Sequence, residues 1–408
     1  MKKKRYVIVG ASSRCRDMFL VNLVEKFADE VEITGVYDTN VKRSEHFKAI
    51  AGDQMTVYDD FEKMLDAEKP DAVLVTTTDK YHHEYICRAL RKGYNAISEK
   101  PITTNYENCI EIAKAVSETG KGVATTFNCR FMPMFAKMKE ILMSGKLGNV
   151  LNINYEYFLN RVHGGDYFKR WHSDMENSGG MLVHKSTHHF DIINWFLEDE
   201  PVKVSALGNK VYYGDVNKSF GERCSTCPKA KQCPSYEDLS NTYEKDFYFG
   251  AEHLDGYIRD KCCFLNHSNI YDSMSVSVQY SKGTMLTYGL NLFSIKGEGW
   301  RMVITGDKGV MVVDTFAQEV PEKHKIDLYL EGGEHQVILF AKGQGAHAGG
   351  DERLLAKLFG NDTSDELHQC ADYMAGLISA LIGISGNDSI ATGETINVKE
   401  RIDYLKSL

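Results

Sequence analysis

The first 125 residues alternate between short apolar runs and amphipathic stretches of helical length. Apolar runs occur at residues 6–9, 31–36, 72–75 and 94–97, and apolar residues at helical spacing lie between them, as over residues 18–27. Strands that alternate with helices form a parallel sheet with right-handed crossovers. The pattern therefore predicts a doubly wound α/β domain at the start of the chain.

From about residue 134 the pattern changes to short β-rich runs joined by turn signals. Turns such as Ser281-Lys282-Gly283 and Gly306-Asp307-Lys308-Gly309 are typical of hairpins. The runs therefore predict an α+β region built on a large, mainly antiparallel sheet, arranged as a meander. Helical patterns return near the end, at residues 351–359, 369–381 and 395–405. The β-rich runs are residues 151–158, 202–211, 275–280, 284–292, 302–304, 309–314, 326–330 and 336–340.

The turn after the first apolar run, Gly10-Ala11-Ser12-Ser13-Arg14-Cys15, stands where a nucleotide-binding fold holds coenzyme phosphates. Only Gly10 matches the pattern G-x-G-x-x-G, but N–H groups at a helix start face a pyrophosphate whatever the side chains are. Ser12 and Ser13 can add hydroxyl groups, and Arg14 can add a charge. Asp38 lies 28 residues after Gly10, where a carboxylate binds ribose hydroxyls and repels a 2′-phosphate. The turn predicts NAD rather than NADP, with a plain turn as the alternative.

Two domains follow from these patterns, in line with a length of 408 residues. We expect residues 1–128 to form an NAD-binding Rossmann domain and residues 129–408 to form a substrate and oligomerisation domain. A segment at about 214–270, rich in Tyr, Lys and Asp, interrupts the β pattern as an insertion that covers the substrate site. The C-terminal helices are expected to be able to pack back on the first domain.

Composition limits the partners and the cellular compartment that we expect for the protein. A net charge of −9 at pH 7 argues against a nucleic-acid partner. The basic start Lys2-Lys3-Lys4-Arg5 precedes an apolar run too short for a signal peptide, and no run of about 18 apolar residues predicts a membrane span. Single cysteines scattered through the first 130 residues are typical of reduced, buried thiols. We therefore expect a cytoplasmic protein.

A chemical signal, Ser98-Glu99-Lys100-Pro101, follows the fourth apolar run. In open α/β sheets ligands bind beyond the carboxyl ends of the strands, and Pro101 stiffens the turn that aims the lysine. Burial there favours the neutral amine, whereas Glu99 favours the charged form. Lys100 is thus suited to hold or accept a proton beside a substrate hydroxyl. A solvated ion pair at the strand end is the alternative.

The segment richest in chemical groups, residues 179–191, reads GGMLVHKSTHHFD. On one continuous helix His184, His188 and Asp191 lie at i, i+4 and i+7 and share a face. Three interpretations are open at this point. The two histidines suit a zinc site that still needs a third ligand, or ordinary surface or core positions, or acid–base roles facing Lys100.

Together these elements resemble the glucose-fructose oxidoreductase, inositol dehydrogenase and rhizopine-catabolism (Gfo/Idh/MocA) family of NAD(P)-dependent sugar and cyclitol oxidoreductases. The resemblance covers most of the chain: the first turn, Thr77-Thr78-Asp79-Lys80-Tyr81-His82, Glu99-Lys100-Pro101, and Gly179-Gly180 leading to His188 and Asp191. It implies that Lys100 and His188 act at the substrate hydroxyl. His184 stands in place of the family's usual aspartate, which leaves the identity of the proton acceptor open. Lys185 is not a typical neighbour there and is placed to bind a substrate oxygen or acid group.

The resemblance and the residue chemistry together give a set of expected contacts. Catalytic roles are expected for Lys100, His188 and His184, and substrate contacts for these three and Lys185. Coenzyme contacts are expected at Gly10, Ser12, Ser13, Arg14, Asp38, Thr76, Thr77, Thr78, His82, Glu99 and Lys100.

Five cysteines in the insertion have a separate explanation. A C-x-x-C pair with further thiols suits the four tetrahedral thiolates of a structural zinc site. The spacing to the third cysteine is not a standard ligand spacing, so free thiols packed under a loop and a disulfide are the alternatives. The candidate zinc ligands are Cys224, Cys227, Cys233 and Cys262, followed by Cys263.

The leading interpretation is an NAD-dependent oxidoreductase in which Lys100 or His188 takes a hydroxyl proton while hydride passes from a sugar or cyclitol to nicotinamide. A glycosidase of the same family that retains NAD, and a non-catalytic regulator that binds NAD and sugar, are the alternatives. The joint presence of Lys100 and His188 favours an enzyme. The partner is expected to be a small sugar or polyol. The large sheet with alternating apolar faces predicts a homo-oligomer, a dimer or tetramer, formed through that sheet.

Overall fold

The computed structural model describes residues 3–214, 221–239, 243–316, 322–361 and 364–408, and two sheets organise them. Six strands of the first sheet run parallel in the order β6-β5-β4-β1-β2-β3. The predicted doubly wound sheet is confirmed, and it includes two short strands, β3 and β6, that the apolar runs did not reveal. The strands are β1 (Lys4–Val9), β2 (Val31–Tyr37), β3 (Thr56–Tyr58), β4 (Ala72–Val75), β5 (Asn95–Ser98) and β6 (Val123–Thr125).

Both faces of this sheet are buried. Along β1, Val7 and Val9 belong to one hydrophobic cluster and Ile8 to another, and successive side chains of a strand point to opposite faces. Such burial is typical of a parallel sheet between two helical layers, with the ligand crevice where the strand order reverses, between β1 and β4. The helices between the strands are α1 (Val21–Lys26), after a π-helical stretch at Cys15–Leu20, α2 (Val41–Ala51), α3 (Phe61–Glu68), α4 (His82–Arg91) and α5 (Tyr106–Thr119).

The second sheet has nine strands in the order β14-β13-β12-β11-β7-β10-β9-β8-β16. All neighbours are antiparallel except β7 and β10, so the predicted mainly antiparallel sheet is confirmed. The predicted meander is wrong at one point, because β7 lies between β10 and β11. The strands are β7 (Val150–Asn160), β8 (Pro201–Asn209), β9 (Ser273–Tyr280), β10 (Met285–Ser294), β11 (Gly299–Gly306), β12 (Gly309–Asp314), β13 (Lys323–Leu330), β14 (His335–Ala341) and β16 (Ile396–Asn397), while β15 (Ala371–Asp372) pairs antiparallel with β6 in the first sheet.

The inner face of the second sheet carries the core and the outer face is mostly polar. On β7, Tyr155 is fully buried whereas Asn154 and Glu156 are exposed. Exposed apolar side chains occur on the edge strand, where Val337 and Leu339 of β14 are 48% and 46% exposed, and also on the central strands, where Leu151 of β7 and Met285 of β10 are 53% and 41% exposed. The role of this face in assembly stays a prediction.

Helices fill the space over the inner face. Phe190 lies 5.1 Å from Tyr288 of β10, and Phe135 stacks at 5.1 Å on Trp300 of β11. These contacts fix the helices that face the first sheet. The helices of this layer are α6 (Pro133–Met143), α7 (Arg161–Lys169), α8 (Met175–Ser178), α9 (Gly180–His184) and α10 (Thr187–Leu197).

The described part of the insertion contains only short helical turns, of which α11 (Glu244–Phe247) and α12 (Glu252–Asp255) have four residues each. Phe247 belongs to the core of the first sheet and stacks on Phe47 of α2 at 6.2 Å. This part of the second half of the chain is therefore docked on the Rossmann-type layer.

The C-terminal helices also return to the first sheet. α13 (Gly350–Phe359) places Phe359 at 5.1 Å from Tyr6 of β1, and α15 (Val398–Ser407) closes the chain. By length and composition α14 (Tyr373–Thr392) is apolar enough to cross a membrane, but 61% of its apolar window is buried inside the protein. Burial of that extent is typical of a core helix.

Candidate active site

A cavity of about 510 Å³ lies between the two sheets. The ends of β1, β2, β4 and β5 form one side, and β7, α7, α9 and α10 form the other. All the residues expected to bind coenzyme or substrate line this one cavity. They are Gly10, Ser12, Ser13, Arg14, Asp38, Thr76, Thr77, Thr78, His82, Glu99, Lys100, His184, Lys185 and His188.

Gly10 allows the first turn to approach the end of β4 closely. Its φ is +93°, and a Cβ atom there would lie 2.5 Å from the backbone nitrogen of Thr77, so only glycine fits. Ser12 accepts a hydrogen bond from the N–H of Cys15 at 3.1 Å and closes the turn. The result is a strand, a tight turn and a helix start, the arrangement that holds a pyrophosphate with backbone N–H groups.

Asp38 is fixed at the same end of the cavity by the backbone. Its carboxylate accepts the N–H groups of Ala11 and Asn40, each at 2.7 Å. Burial raises the pKa of Asp38, and these hydrogen bonds and the nearby Arg43 guanidinium oppose that shift. A carboxylate held in this way suits a ribose diol and disfavours a second anionic group.

Arg14 has partners that its spacing did not indicate. The guanidinium donates to Glu99 at 2.9 Å and to Asp351 of α13 at 3.1 Å. Its charge is therefore balanced by two carboxylates, and its contact with a coenzyme phosphate stays a prediction.

His82 connects the turns that follow β4 and β5. Its ring nitrogens lie 3.0 Å from the carbonyl oxygen of Thr77 and 2.7 Å from that of Pro101. Burial lowers the pKa of His82. The ring links the turn after β4 to the Glu-Lys-Pro turn, which carries the candidate catalytic lysine.

Lys100 extends from the end of β5 into the cavity. Its Nζ donates to the carbonyl oxygen of His184 at 3.1 Å, while Glu99 pairs with Arg14 instead. Within the described part of the chain Lys100 forms no ion pair, so the alternative of a Glu99–Lys100 surface pair is not supported. Burial lowers the pKa of Lys100, and the charges of Asp79 and Glu99 oppose the shift. A desolvated amine of this kind can exchange a proton with a hydroxyl group.

His184 is held in place by Asp79, which follows β4. The Nδ1 atom of His184 lies 2.5 Å from Oδ2 of Asp79, and both residues are buried. Burial, helped by the charge of Lys100, lowers the pKa of His184 well below its usual value. The neutral ring is thus anchored, and the carbonyl group of the same residue positions Lys100.

The predicted single helix through residues 184–191 is wrong. α9 ends at His184, and a two-residue break separates it from α10. His184 and His188 therefore reach the cavity from two different helices. Asp191 does not line the cavity but forms a buried pair with Arg130, at N–O distances of 2.6 and 2.8 Å.

His188 presents an unused ring nitrogen inside the protein. Its ring packs edge to face on Phe127 at 5.9 Å, and its Nδ1 has no hydrogen-bond partner among the described residues. Burial lowers the pKa of His188 well below its usual value, and Lys100 and Lys185 add to the shift. A buried polar atom without a partner calls for one, and a substrate hydroxyl in the cavity can supply it.

Sequence reasoning missed a second group of cavity residues on α7 and the turn after it. Tyr167, Arg170 and His172 line the cavity. Arg170 donates to Asp166 at 2.7 Å, and the ring centroid of His172 lies 4.3 Å from that of His184. The available signal was the aromatic and basic run YFKRWH, which follows a predicted strand.

Part of the insertion closes the coenzyme end of the cavity, and we call residues 243–257 the strap. The insertion was expected over the substrate site, but Tyr248 and Asp255 line the cavity beside the Gly10 turn. The strap therefore forms the outer wall at this turn. The contacts that hold it to the first domain include Tyr248 with Ser13, Lys42 with Gly250, Asn40 with Ala251, and Arg43 with Asp255.

The insertion cysteines line a separate cavity of about 10 Å³. The ten cysteines form no disulfide among the described residues, and burial raises the pKa of Cys224 to about 11. Among the residues that the structure describes, no three Cys, His, Asp or Glu side chains are arranged to hold a metal ion. The zinc site at Cys224, Cys227, Cys233 and Cys262 therefore stays a prediction, and packed thiols under a loop remain its alternative.

Two family models match the chain. The model for the "Oxidoreductase family, NAD-binding Rossmann fold" matches residues 4–127, and that for the "Oxidoreductase family, C-terminal alpha/beta domain" matches residues 139–397. The putative oxidoreductase YteT of Bacillus subtilis is 33% identical over 421 residues, covering 97% of this chain and 98% of that protein. An inositol 2-dehydrogenase of Rhizobium meliloti is 28% identical over 193 residues, 47% of this chain and 54% of that protein.

Solved structures share the fold. An oxidoreductase domain protein from Kribbella flavida superposes with a TM-score of 0.69 at 16% identity, covering 98% of this chain and 100% of that chain. The WlbA dehydrogenase from Bordetella pertussis, solved with NADH and UDP-GlcNAcA, superposes with a TM-score of 0.67 at 16% identity, covering 97% and 99%. At these identities the likeness shows the fold alone.

Proposed function

The chain belongs to the Gfo/Idh/MocA family of NAD-binding oxidoreductases, and we propose that it is a dehydrogenase acting on a hydroxyl group of a sugar or cyclitol. One observation carries this proposal: the amine of Lys100 and the ring of His188, with its unpartnered nitrogen, line the same cavity as the Gly10 turn. The relatives named inositol 2-dehydrogenase support the substrate class.

The coenzyme end of the cavity fits a nicotinamide dinucleotide. Gly10 lets the first turn lie against the backbone of Thr77, where a Cβ atom would collide, and Asp38 is fixed beside the turn. When bound, NAD supplies a hydride acceptor for the carbinol carbon. We favour NAD over NADP because the Asp38 carboxylate would repel a 2′-phosphate.

In this proposal Lys100 takes the hydroxyl proton. Its lowered pKa makes the neutral amine available closer to neutral pH. The His184 carbonyl group positions the amine, and Asp79 in turn anchors the His184 ring. His188, held neutral by burial, forms a hydrogen bond with the same hydroxyl group and orients it toward the lysine.

NADH formation with a panel of sugars and cyclitols tests the proposal. Lys100→Met should lower kcat by about 10²- to 10⁴-fold, the range for a positioned acid–base group, and should change NAD affinity only a few-fold. Lys92→Met is the matched control, because Lys92 is a surface lysine paired with Asp66. Full turnover in Lys100→Met would remove Lys100 from the mechanism.

A second candidate is a glycosidase that retains NAD and oxidises its substrate only transiently. The strap favours this second candidate, because a coenzyme site that is covered by the strap suits a coenzyme that stays bound. Glycoside cleavage without net NADH would identify this activity. Tight sugar binding with neither reaction would instead identify a regulator.

We also propose a cytoplasmic homo-oligomer. Ten cysteines that form no disulfide among the described residues suit a reducing compartment. The exposed apolar side chains of β14 offer a starting point for contact between second sheets.

A further inference from the structure

Lys185 is a cation in the cavity that has no hydrogen-bond or ion-pair partner among the described residues. It stands in the break between α9 and α10 and lines the cavity, with its Nζ 5.4 Å from the ring centroid of Tyr157. Within residues 3–214, 221–239, 243–316, 322–361 and 364–408, its ammonium group has no hydrogen bond and no ion pair. Lysine at this position is therefore not explained by the fold.

The other cationic side chains that line the cavity all have partners. Each forms a hydrogen bond or an ion pair with an oxygen of the protein, although Nε of Arg43 and Nε of Arg170 have no partner among the described residues. The contacts are Arg14 with Glu99 and Asp351, Arg43 with Asp255, Arg170 with Asp166, and Lys100 with the carbonyl group of His184.

The acids near Lys185 form hydrogen bonds with histidine rings, and neither of them forms a direct ion pair with Lys185. Asp79 is bound to His184, and Glu298 lies 2.6 Å from the ring of His163. The neighbouring His188 and His189 are buried, and their pKa values are lowered well below normal by burial and by the charges of Lys100 and Lys185. The substrate end of the cavity thus combines an ammonium group that has no direct ion-pair partner with histidine rings whose pKa values are lowered.

A cation in a partly desolvated cavity binds an anion better than a neutral oxygen. A hydroxyl group would leave its charge uncompensated, whereas a carboxylate neutralises it and accepts charge-assisted hydrogen bonds. A planar carboxylate on a sugar is the smallest change that turns a neutral substrate into such a ligand.

We propose that the substrate is a sugar acid and that Lys185 binds its carboxylate. The role of the reacting hydroxyl group in this inference rests on the proposed function, whereas the binding of the acid by Lys185 does not depend on it. Lys100 and His188 serve the hydroxyl group, and Lys185 selects which sugars reach them.

Matched pairs of sugars test this directly, since D-galactose and D-galacturonate, or D-glucose and D-glucuronate, differ only at the acid carbon. Binding to the NADH-loaded protein is measured by calorimetry, and NADH formation is measured separately. We expect the acid of at least one pair to bind about 10- to 100-fold more tightly than its neutral partner, the value of a hydrogen bond between charged groups. Equal or tighter binding of the neutral sugar in every pair would overturn the proposal.

Three variants assign the effect to the side chain. Lys185→Met should bring the acid-to-neutral ratio close to one, Lys185→Arg should keep most of it, and the surface control Lys92→Met should leave it unchanged. An unchanged ratio in Lys185→Met would overturn the proposal. If a variant fails to fold, the acid-to-neutral binding ratio of the wild-type protein still tests the proposal.

The same measurements separate this inference from the proposed function. Lys185-dependent binding of the acid without hydride transfer from any sugar would refute the dehydrogenase and leave the acid site in place. Hydride transfer from neutral sugars alone would leave the dehydrogenase and refute the acid site.

Discussion

Replacing Asp255 by asparagine should speed the release of bound NADH. Asp255 belongs to the strap, lines the coenzyme end of the cavity and pairs with Arg43 of α2. A coenzyme bound at the Gly10 turn lies behind this wall. Weakening the pair raises the fraction of time for which the strap is open, and the release rate rises with that fraction.

The structure gives the size of the effect. The side chains of Arg43 and Asp255 are only 11% and 18% exposed, and a hydrogen bond between charged groups contributes about 1.5–3 kcal/mol. Asparagine offers the Arg43 guanidinium a neutral amide oxygen, and we take the remaining hydrogen bond as about 1 kcal/mol. The loss of about 0.5–2 kcal/mol corresponds to a release about 2- to 30-fold faster. Burial of Phe247 and the backbone contacts of Gly250 and Ala251 should keep the strap folded.

The assay is stopped-flow fluorescence. Protein loaded with NADH is mixed with excess NAD, and the decay of NADH fluorescence gives the release rate. Tyr248→Phe provides a second test, because it removes the hydroxyl contacts with Ser13. Asp59→Asn is the matched control, since Asp59 forms an exposed pair with Lys63.

Both strap variants should release NADH faster than the control at equal thermal stability. Release at the wild-type rate from both would mean that the coenzyme leaves by another route. The strap would then be a structural insertion without a role in coenzyme exchange.

Other predictions concern the pH profile, coenzyme choice, stability and assembly. The rate of substrate oxidation should rise with pH and level off with a midpoint below the ordinary lysine value of 10.5, because a lowered pKa makes neutral Lys100 appear at lower pH. Initial rates measured across the pH range should show this rise, and the same rise in Lys100→Met would contradict the assignment. Asp38→Ala should weaken NAD binding and narrow the preference over NADP in fluorescence titrations, whereas tighter binding of NADP by the wild-type protein would refute the ribose contact. Asp191→Ala should lower the free energy of unfolding by about 3–5 kcal/mol, since Arg130 is left as a buried unpaired charge. Urea denaturation measures this free energy, and a loss below about 1 kcal/mol would mean that the pair is dispensable. Light scattering at micromolar concentration should give a homo-oligomer, and a monomer would exclude contact through the second sheet.

The sequence by itself determined the fold class and most of the site. Apolar runs located four of the six parallel strands and most strands of the second sheet, because side-chain periodicity is a local property that burial imposes on each strand. The Gly10 turn, Asp38 and Lys100 were identifiable because each follows a strand, and parallel strands bring their carboxyl ends to one edge. Their convergence in one cavity needed no knowledge of distant contacts.

Only the tertiary structure decided which distant segments meet. The sequence placed β10 beside β11, whereas long-range packing inserts β7 between them. Arg14 pairs with Asp351, 337 residues away, and the strap docks on α2 through Arg43 and Asp255, 212 residues apart. The break at Lys185 was also hidden, since the residues around it read as one helix. Periodicity records which face of an element is buried but not what buries it, so the partners of these side chains depend on how the whole chain packs.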